Sequence, residues 1–222
     1  MQKTLIAPST QNTKLGMMAC SYRTVGDSAK GSGTCPSNCP LLPEHGGKCY
    51  TRKFLVNLQQ KHALDRNDDF DKFLFKGATT VRLNVSGDIF MSDGNGGCAL
   101  DVEYLKAIID WAIKNPKVTV YTYTHNPIMV IEAGYSYIGN SFPSNLHIVA
   151  SVDTIEEKNM AVYHGFRSAR VIDKAEDKLA DETFCPYDLA LHEGRKPNVT
   201  CASCRLCFEI KHKKNIAFLK QK

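Results

Sequence analysis

Three cysteines recur at every third position near the carboxyl end of the sequence, as Cys201-x2-Cys204-x2-Cys207. Three thiols at this spacing cannot all pair as disulfides, but from one short loop they can bind a single soft metal centre. Cys185 supplies a fourth thiol a short distance earlier in the chain. The cysteine-rich segment 184–208 therefore predicts a metal site with four cysteine ligands.

Two kinds of metal centre fit four thiolates. Structural zinc sites usually take their ligands as two separated pairs, one from each of two facing turns. Here the ligands form one triplet and one outlier, and consecutive C-x2-C-x2-C is the spacing of bacterial ferredoxin loops, in which successive thiolates bind different irons of a cube. The spacing favours a [4Fe-4S] cluster, with zinc as the alternative.

A second group of cysteines lies in the loop 34–50, as Cys35-x3-Cys39-x9-Cys49. It predicts a second cluster or a zinc ion, for which His45 is a candidate fourth ligand. Two alternatives remain: three unligated thiols in a loop, or a single centre that both groups share. Below, Cys35, Cys39 and Cys49 are the amino-terminal thiol group, and Cys185, Cys201, Cys204 and Cys207 are the carboxyl-terminal thiol group.

Composition indicates an ordinary globular protein, because 43% of its residues are hydrophobic and 23% are charged. The 222 residues suit a single domain, 1–222, with no linker. No apolar run approaches the roughly 20 residues of a spanning helix, so no membrane contact is expected. The amino terminus lacks the apolar core of a signal peptide, which predicts a cytoplasmic location, where nine cysteines favour metal over disulfides.

The net charge of +5 includes two basic stretches near the carboxyl end, 211–214 and 220–222. They are rich in lysine and are candidates for weak contact with nucleic acid. The plainer interpretation is a solvated basic tail.

Hydrophobic periodicity predicts strands that alternate with helices. The predicted strands span 14–22, 80–86, 118–123, 146–152 and 169–172. The predicted helices span 51–66, 101–114 and 154–164. Alternation at this spacing implies βαβ crossovers and therefore an α/β fold with a parallel sheet. With about five strands visible, we expect an incomplete parallel (β/α) barrel.

Polar residues follow the predicted strands at the edge where parallel α/β folds bind their ligands. Ser86, Gly87 and Asp88 follow one strand, and His125 follows the next. Asp88 and His125 are candidate catalytic residues, Asp88 as a hydrogen-bond acceptor or general base and His125 as a base or a ligand, and Ser86 and Gly87 are candidates for cofactor binding. The alternatives are ordinary turn chemistry for the Gly-Asp pair and a hydrogen-bonded loop histidine.

Four short sequence motifs together resemble those of a known group of proteins: Thr34-Cys35-Pro36, Cys49-Tyr50, Ser86-Gly87-Asp88 and Tyr121-Thr122-Tyr123-Thr124. The layout of strand, cysteine loop, helix and βα repeats resembles radical SAM enzymes. The motifs themselves resemble more closely those of a phage-encoded family known as gene product 88 domain proteins. The resemblance implies a radical-SAM-like barrel that binds a [4Fe-4S] cluster in a viral protein, and hence in the host cytoplasm.

One departure from the radical SAM pattern bears on activity. Those enzymes use C-x3-C-x2-C, which leaves one iron free for S-adenosylmethionine, whereas Cys49 here comes ten residues after Cys39. The resemblance therefore gives no basis for expecting SAM cleavage. Three functions fit the sequence: a redox or electron-transfer protein with an unknown redox partner, an enzyme of radical SAM type, and a zinc-stabilised module that binds nucleic acid or protein. We expect cluster binding, without a commitment to catalysis.

Overall fold

A computed structural model describes residues 4–10, 12–42, 45–47, 49, 69–139, 141–209 and 214–220. The predicted helix 51–66 lies outside these residues. In chain order the described elements are β1 (Leu5–Ala7), β2 (Ala19–Tyr22), a 3-10 helix (Phe70–Lys76), β3 (Thr80–Arg82), β4 (Phe90–Ser92), β5 (Cys98–Leu100), α1 (Val102–Lys114), β6 (Thr119–Thr124), α2 (Pro127–Ile138), β7 (Leu146–Val152), α3 (Ile155–Tyr163), β8 (Arg167–Ile172), a second 3-10 helix (Ala175–Asp177), β9 (Glu182–Phe184), α4 (Pro186–His192), α5 (Cys201–Cys204) and β10 (Asn215–Leu219).

The described strands form one large sheet in the order β1-β2-β3-β6-β7-β8-β10-β9, and β4 and β5 form a separate hairpin. All neighbours in the large sheet run parallel except β1, which pairs antiparallel with β2. The predicted α/β fold with a mostly parallel sheet is confirmed. The incomplete barrel and the single domain stay predictions.

Local signals explain where the helices begin. Asp101 caps α1, since its Oδ1 accepts a hydrogen bond from the backbone N–H of Tyr104 at 3.1 Å. Thr154 and Glu157 form the predicted capping box of α3. Both helices were expected from the sequence. Helix α2 was not, although Asn126 caps it and a proline occupies its first turn.

The sheet has two differently covered faces. Side chains that alternate along β6 and β7 separate the faces: Val120, Ile148 and Ala150 join the main hydrophobic core, whereas Tyr121 and Val149 join smaller clusters on the opposite face. We call this opposite face the inner face. Helices α1, α2 and α3 contribute to the main core. The inner face is covered by the segment that contains α5.

A strand that the sequence did not predict separates the two basic stretches. Strand β10 lies between β8 and β9, and its Ile216, Ala217 and Leu219 are buried. Lys214 and Lys220, the described lysines of the basic stretches, are exposed, as expected of solvated lysines. Lys220 pairs with Asp173 at 3.0 Å. Residues 211–213, the main candidates for nucleic-acid contact, lie outside the described part of the chain.

No helix of the described residues is both long and apolar enough to cross a membrane.

Candidate metal centre

All four cysteines of the carboxyl-terminal thiol group line one cavity of about 20 Å³. Cys185 reaches it from the junction of β9 and α4, and the other three reach it from α5 and the turn that follows. The sequence predicted that these four residues act together, and the structure brings them together. The remaining lining is mostly apolar: Pro186, Tyr187, Val199, Leu206, Phe208 and Ile216.

The short helix α5 is fixed by its ends and by the chain before β2. Thr200 caps it: the Thr200 hydroxyl oxygen accepts from the Ser203 backbone N–H at 3.4 Å, and the Ser203 hydroxyl oxygen accepts from the Thr200 N–H at 2.9 Å. The backbone N–H of Cys201 donates to the carbonyl of Lys14 at 2.8 Å. Arg205 ends the helix in the left-handed region, with φ of 59°. Beyond it, Phe208 stacks on Tyr121, with ring centroids 4.6 Å apart, which anchors the segment to the inner face.

Burial controls the acidity of these thiols. It raises the pKa of Cys185 to about 11, against an opposing effect of Lys14. Burial also raises the pKa of Cys207 to about 11, against a hydrogen bond with Tyr123. The pKa of Cys201 is raised by burial too, while Arg82 and Lys14 oppose the shift. These three thiols are therefore protonated at neutral pH, and a metal must displace their protons.

Besides Arg205, which lines the cavity, three further cations lie near the carboxyl-terminal thiol group. The Lys14 Nζ lies 2.7 Å from Asp188 Oδ2 and 4.8 Å from the Phe218 ring centroid. The guanidinium of Arg82 lies 4.3 Å from the ring centroid of Tyr123. Arg167 is another of these cations: burial lowers the pKa of its guanidinium, and the nearby Cys207 opposes that shift. Sequence reasoning missed all three, although Arg82 gave a signal as a charged residue within a β-strand.

The amino-terminal thiol group does not line this cavity. Cys35 and Cys39 are buried against a small hydrophobic cluster that Cys49 also contacts. Burial, together with a smaller effect of the Asp88 carboxylate, raises the pKa of Cys35 to about 12 and that of Cys39 to about 11. His45 is exposed, and its Nε2 lies 2.7 Å from the carbonyl oxygen of Ser37.

Among the described residues, no three or more histidine, cysteine, aspartate or glutamate side chains stand in an arrangement that could hold a metal ion. The shared cavity thus brings four thiols together without the spacing of ligands around a single ion. Thiolates bound to one zinc lie within roughly 4 Å of each other, given Zn–S bonds of about 2.3 Å.

Ser86, Gly87 and Asp88 form a buried turn after β3. Gly87 has φ of +74°, and a Cβ there would lie 2.3 Å from the Thr34 hydroxyl oxygen, so only glycine fits. The Ser86 hydroxyl donates to the Arg23 carbonyl at 3.0 Å. Both residues therefore serve the backbone of the turn, and their role in cofactor binding stays a prediction.

Asp88 and His125, the two candidate catalytic residues, are neighbours. Asp88 Oδ2 accepts from the backbone N–H of His125 at 3.0 Å and lies 3.6 Å from its Nδ1. His125 Nε2 lies 3.2 Å from the Ser151 hydroxyl oxygen. Burial lowers the pKa of His125, but Asp88, Asp153 and Glu157 outweigh burial and raise it. The structure thus brings a protonatable imidazole and a buried carboxylate together at the carboxyl edge of the sheet.

Arg23 connects Asp101 and the backbone of Asp88 at this edge of the sheet. Its side chain is fully buried, and Nη2 lies 2.5 Å from Asp101 Oδ2. Nη1 donates to the backbone carbonyl of Asp88 at 2.9 Å, and the guanidinium lies 4.0 Å from the Tyr104 ring centroid. Arg23 was not among the residues predicted from the sequence to belong to a site.

A comparison with protein-family models finds one described as gene product 88, which matches residues 59–216, more than half of the chain. The chain belongs to the gene product 88 family. The family match contains the carboxyl-terminal thiol group, Asp88 and His125, whereas the amino-terminal thiol group precedes it. No curated protein and no solved structure matches this family member. The resemblance inferred from short phrases is confirmed for the family.

Proposed function

We propose that this gene product 88 family member is an iron-sulfur protein that binds a [4Fe-4S] cluster through the carboxyl-terminal thiol group and acts in electron transfer. The observation that carries the proposal is the convergence of four cysteines, from two separate segments, on one cavity. Cysteine thiolates are the usual ligands of such clusters.

The donor set fits a cluster. No carboxylate or imidazole lines the cavity among the described residues, so the available ligands are soft sulfur atoms. In a cluster each thiolate binds a different iron, and the sulfur atoms therefore stand farther apart than around one zinc ion. The cavity of about 20 Å³ has the space of roughly one water molecule. Loading therefore requires its lining to move outward, and the half-exposed Cys204 on the four-residue α5 is best placed to do so.

The surrounding charges suit an anionic group. Burial raises the pKa of Cys201 and lowers that of Arg167; Lys14 and Arg82 oppose the first shift and Cys207 opposes the second, so each cation interacts favourably with a thiolate. A bound cluster would supply one-electron transfer. Nearby positive charge and hydrogen bonds to the sulfur atoms make reduction easier, so these three residues would set its potential.

We also propose a metal site at the amino-terminal thiol group and a proton-transfer role for Asp88 and His125 at the same edge. The pKa of Cys39 responds to both Asp88 and Asp153, which supports placing this group beside the polar residues. SAM cleavage is not part of the proposal, because the spacing after Cys39 departs from the radical SAM motif.

The test is metal analysis after anaerobic purification. We expect a brown protein with iron and inorganic sulfide in equal amounts, and loss of about four irons per chain in the variant Cys201→Ser/Cys204→Ser/Cys207→Ser. Cys98→Ser is the matched control, since Cys98 belongs to neither thiol group.

A colourless protein with one zinc per chain would favour the zinc-stabilised module and reject the cluster. A triple variant that keeps its full iron content would reject the assignment of these cysteines.

A further inference from the structure

A second, larger cavity of about 250 Å³ opens at the amino-terminal edge of the parallel sheet. We call it the edge cleft. It lies between α2, the start of β7 and the loop that leads into β8. Cys207 lines both this cleft and the smaller cavity of the carboxyl-terminal thiol group. A molecule in the cleft would therefore lie beside that group.

The lining of the edge cleft combines nitrogen donors with aromatic rings. Arg167, His147 and His164 supply the nitrogen atoms. The rings are those of Tyr135, Phe142 and Phe166, and the first two have centroids 5.6 Å apart. None of the described lining residues is acidic. Such a lining favours a ligand that is both flat and negatively charged.

Arg167 is the fixed charge of the cleft. Its Nη1 donates to the Leu206 carbonyl at 2.9 Å and its Nη2 to the Lys214 carbonyl at 2.7 Å. Its buried Nε has no hydrogen-bond acceptor among the described residues. The two Nη bonds fix the guanidinium at the wall of the cleft, where its positive charge attracts an anion. Burial and the charge of Arg167 lower the pKa of His147, so at neutral pH that imidazole is uncharged.

We propose that the edge cleft binds a small planar aromatic anion with one or two rings and one carboxylate. The rings would lie among the aromatic side chains, and the carboxylate would meet Arg167. Size supports this class, because a cavity of about 150 Å³ accommodates one benzene ring and the cleft is larger. This inference goes beyond electron transfer and does not depend on a bound cluster.

The experiment measures binding of 2-naphthoate to the full-length chain by fluorescence anisotropy at neutral pH. The neutral analogue 2-naphthamide tests the need for charge, and competition by inorganic phosphate tests the need for the ring. We expect 2-naphthoate to bind at least about tenfold more tightly than either. Arg167→Gln should weaken 2-naphthoate about tenfold. Lys117→Gln removes the same charge from an exposed site near the same sheet edge and should change nothing.

Equal binding of 2-naphthoate and 2-naphthamide would overturn the proposal, as would displacement by phosphate at matched concentration. Unchanged affinity in Arg167→Gln would overturn it as well. If circular dichroism shows that Arg167→Gln is unfolded, the proposal is tested instead by the affinity of Arg167→Lys for 2-naphthoate and by the comparisons of 2-naphthoate with 2-naphthamide and with phosphate on the wild-type protein. Iron is measured in the same samples. If the protein binds 2-naphthoate but contains no iron, the proposed cluster is rejected and the proposed ligand of the edge cleft is not.

Discussion

The two thiol groups share a residue type and a buried setting but differ in the charges around them. In the amino-terminal group, the carboxylate of Asp88 adds to burial in raising the pKa of Cys35 and Cys39. In the carboxyl-terminal group, Lys14 opposes the same effect of burial at Cys185, and Lys14 and Arg82 do so at Cys201. Nearby charge thus adds to the cost of forming a thiolate in the first group and offsets part of that cost in the second.

This difference shows that spacing identifies possible ligands, whereas surrounding charge decides which of them suits an anionic centre. Both groups were predicted from the sequence as metal sites. On this electrostatic difference we rank the carboxyl-terminal group first as the proposed cluster site. Four changes to the chain test this ranking, and they are ordered by expected effect.

The largest effect is expected from Arg23→Met. This change tests whether Arg23, a buried cation near the amino-terminal thiol group, stabilises the fold. The change leaves the buried carboxylate of Asp101 without its ion-pair partner. We expect unfolding free energy to fall by about 3–5 kcal/mol, measured by urea denaturation. Lys114→Met breaks an exposed pair with Asp71 and should cost below about 1 kcal/mol. Similar costs for both changes would show that Arg23 is not the anchor of this edge.

Lys14→Met removes a cation from the carboxyl-terminal group. The pKa of Cys185 and Cys201 should rise by roughly one unit, because the opposite charge that favours their thiolates is gone. Cysteine-specific alkylation across a pH series, read by mass spectrometry of metal-free protein, measures this shift. Lys30→Met is the control, since its weak pair with Asp27 at 3.8 Å lies near the other group. An equal shift in both thiol groups contradicts the comparison.

Asp88→Asn should act in the opposite direction on the amino-terminal group. Removing the carboxylate lowers the pKa of Cys35 and Cys39, so the same alkylation series should shift to lower pH for these two residues alone. Asp173→Asn is the control, because Asp173 is exposed and pairs only with Lys220 among the described residues. A rise in either pKa would refute the electrostatic account.

The same Asp88→Asn variant should change the dependence of stability on pH. The folded protein holds the proton of His125 more tightly than the unfolded chain, because Asp88 helps raise that pKa. The stability gained in this way is complete below a pH of about 6.5 and is lost as the pH rises through the raised pKa. Without the carboxylate this loss should shrink. Titration of the His125 ring protons by NMR checks the expected fall in its pKa.

The smallest effect is expected from Thr200→Ala, which removes the cap of α5. We expect a loss of about 1 kcal/mol in unfolding free energy and faster alkylation of Cys201 and Cys204. Thr154→Ala removes the cap of α3 and should cost a similar amount without changing alkylation. Unchanged alkylation in Thr200→Ala would show that the cap does not position the thiols.

Local sequence signals predicted much of the fold. Strands β6 and β7 and helices α1 and α3 were expected close to their observed bounds, because each carries its own periodicity and caps. Helix α2 was missed because Asn126 was interpreted only as a strand exit, although an Asn-Pro pair is also a helix start. Strand β10 was missed because its burial depends on β8 and β9, which lie far away in sequence.

The cysteines of the site were predictable from the sequence, but the residues around them were not. The C-x2-C-x2-C spacing identified Cys201, Cys204 and Cys207, and Cys185 was expected as an outlying fourth; all four line the cavity. Lys14 and Arg82 come from the chain before β2 and from β3, and only the folded sheet brings them to those thiols. The Arg23 anchor and the edge cleft likewise depend on contacts between distant elements.

The position of β10 between β8 and β9 has a consequence for the order of events during synthesis. Ribosomes release the chain from its amino end, so β9 and Cys185 emerge before the strand that attaches them to the sheet. Until residues 215–219 follow, the four thiols have no completed cavity around them. If the proposed cluster is inserted during synthesis, the interval between the emergence of Cys207 and the arrival of the last strand is when these thiols are accessible.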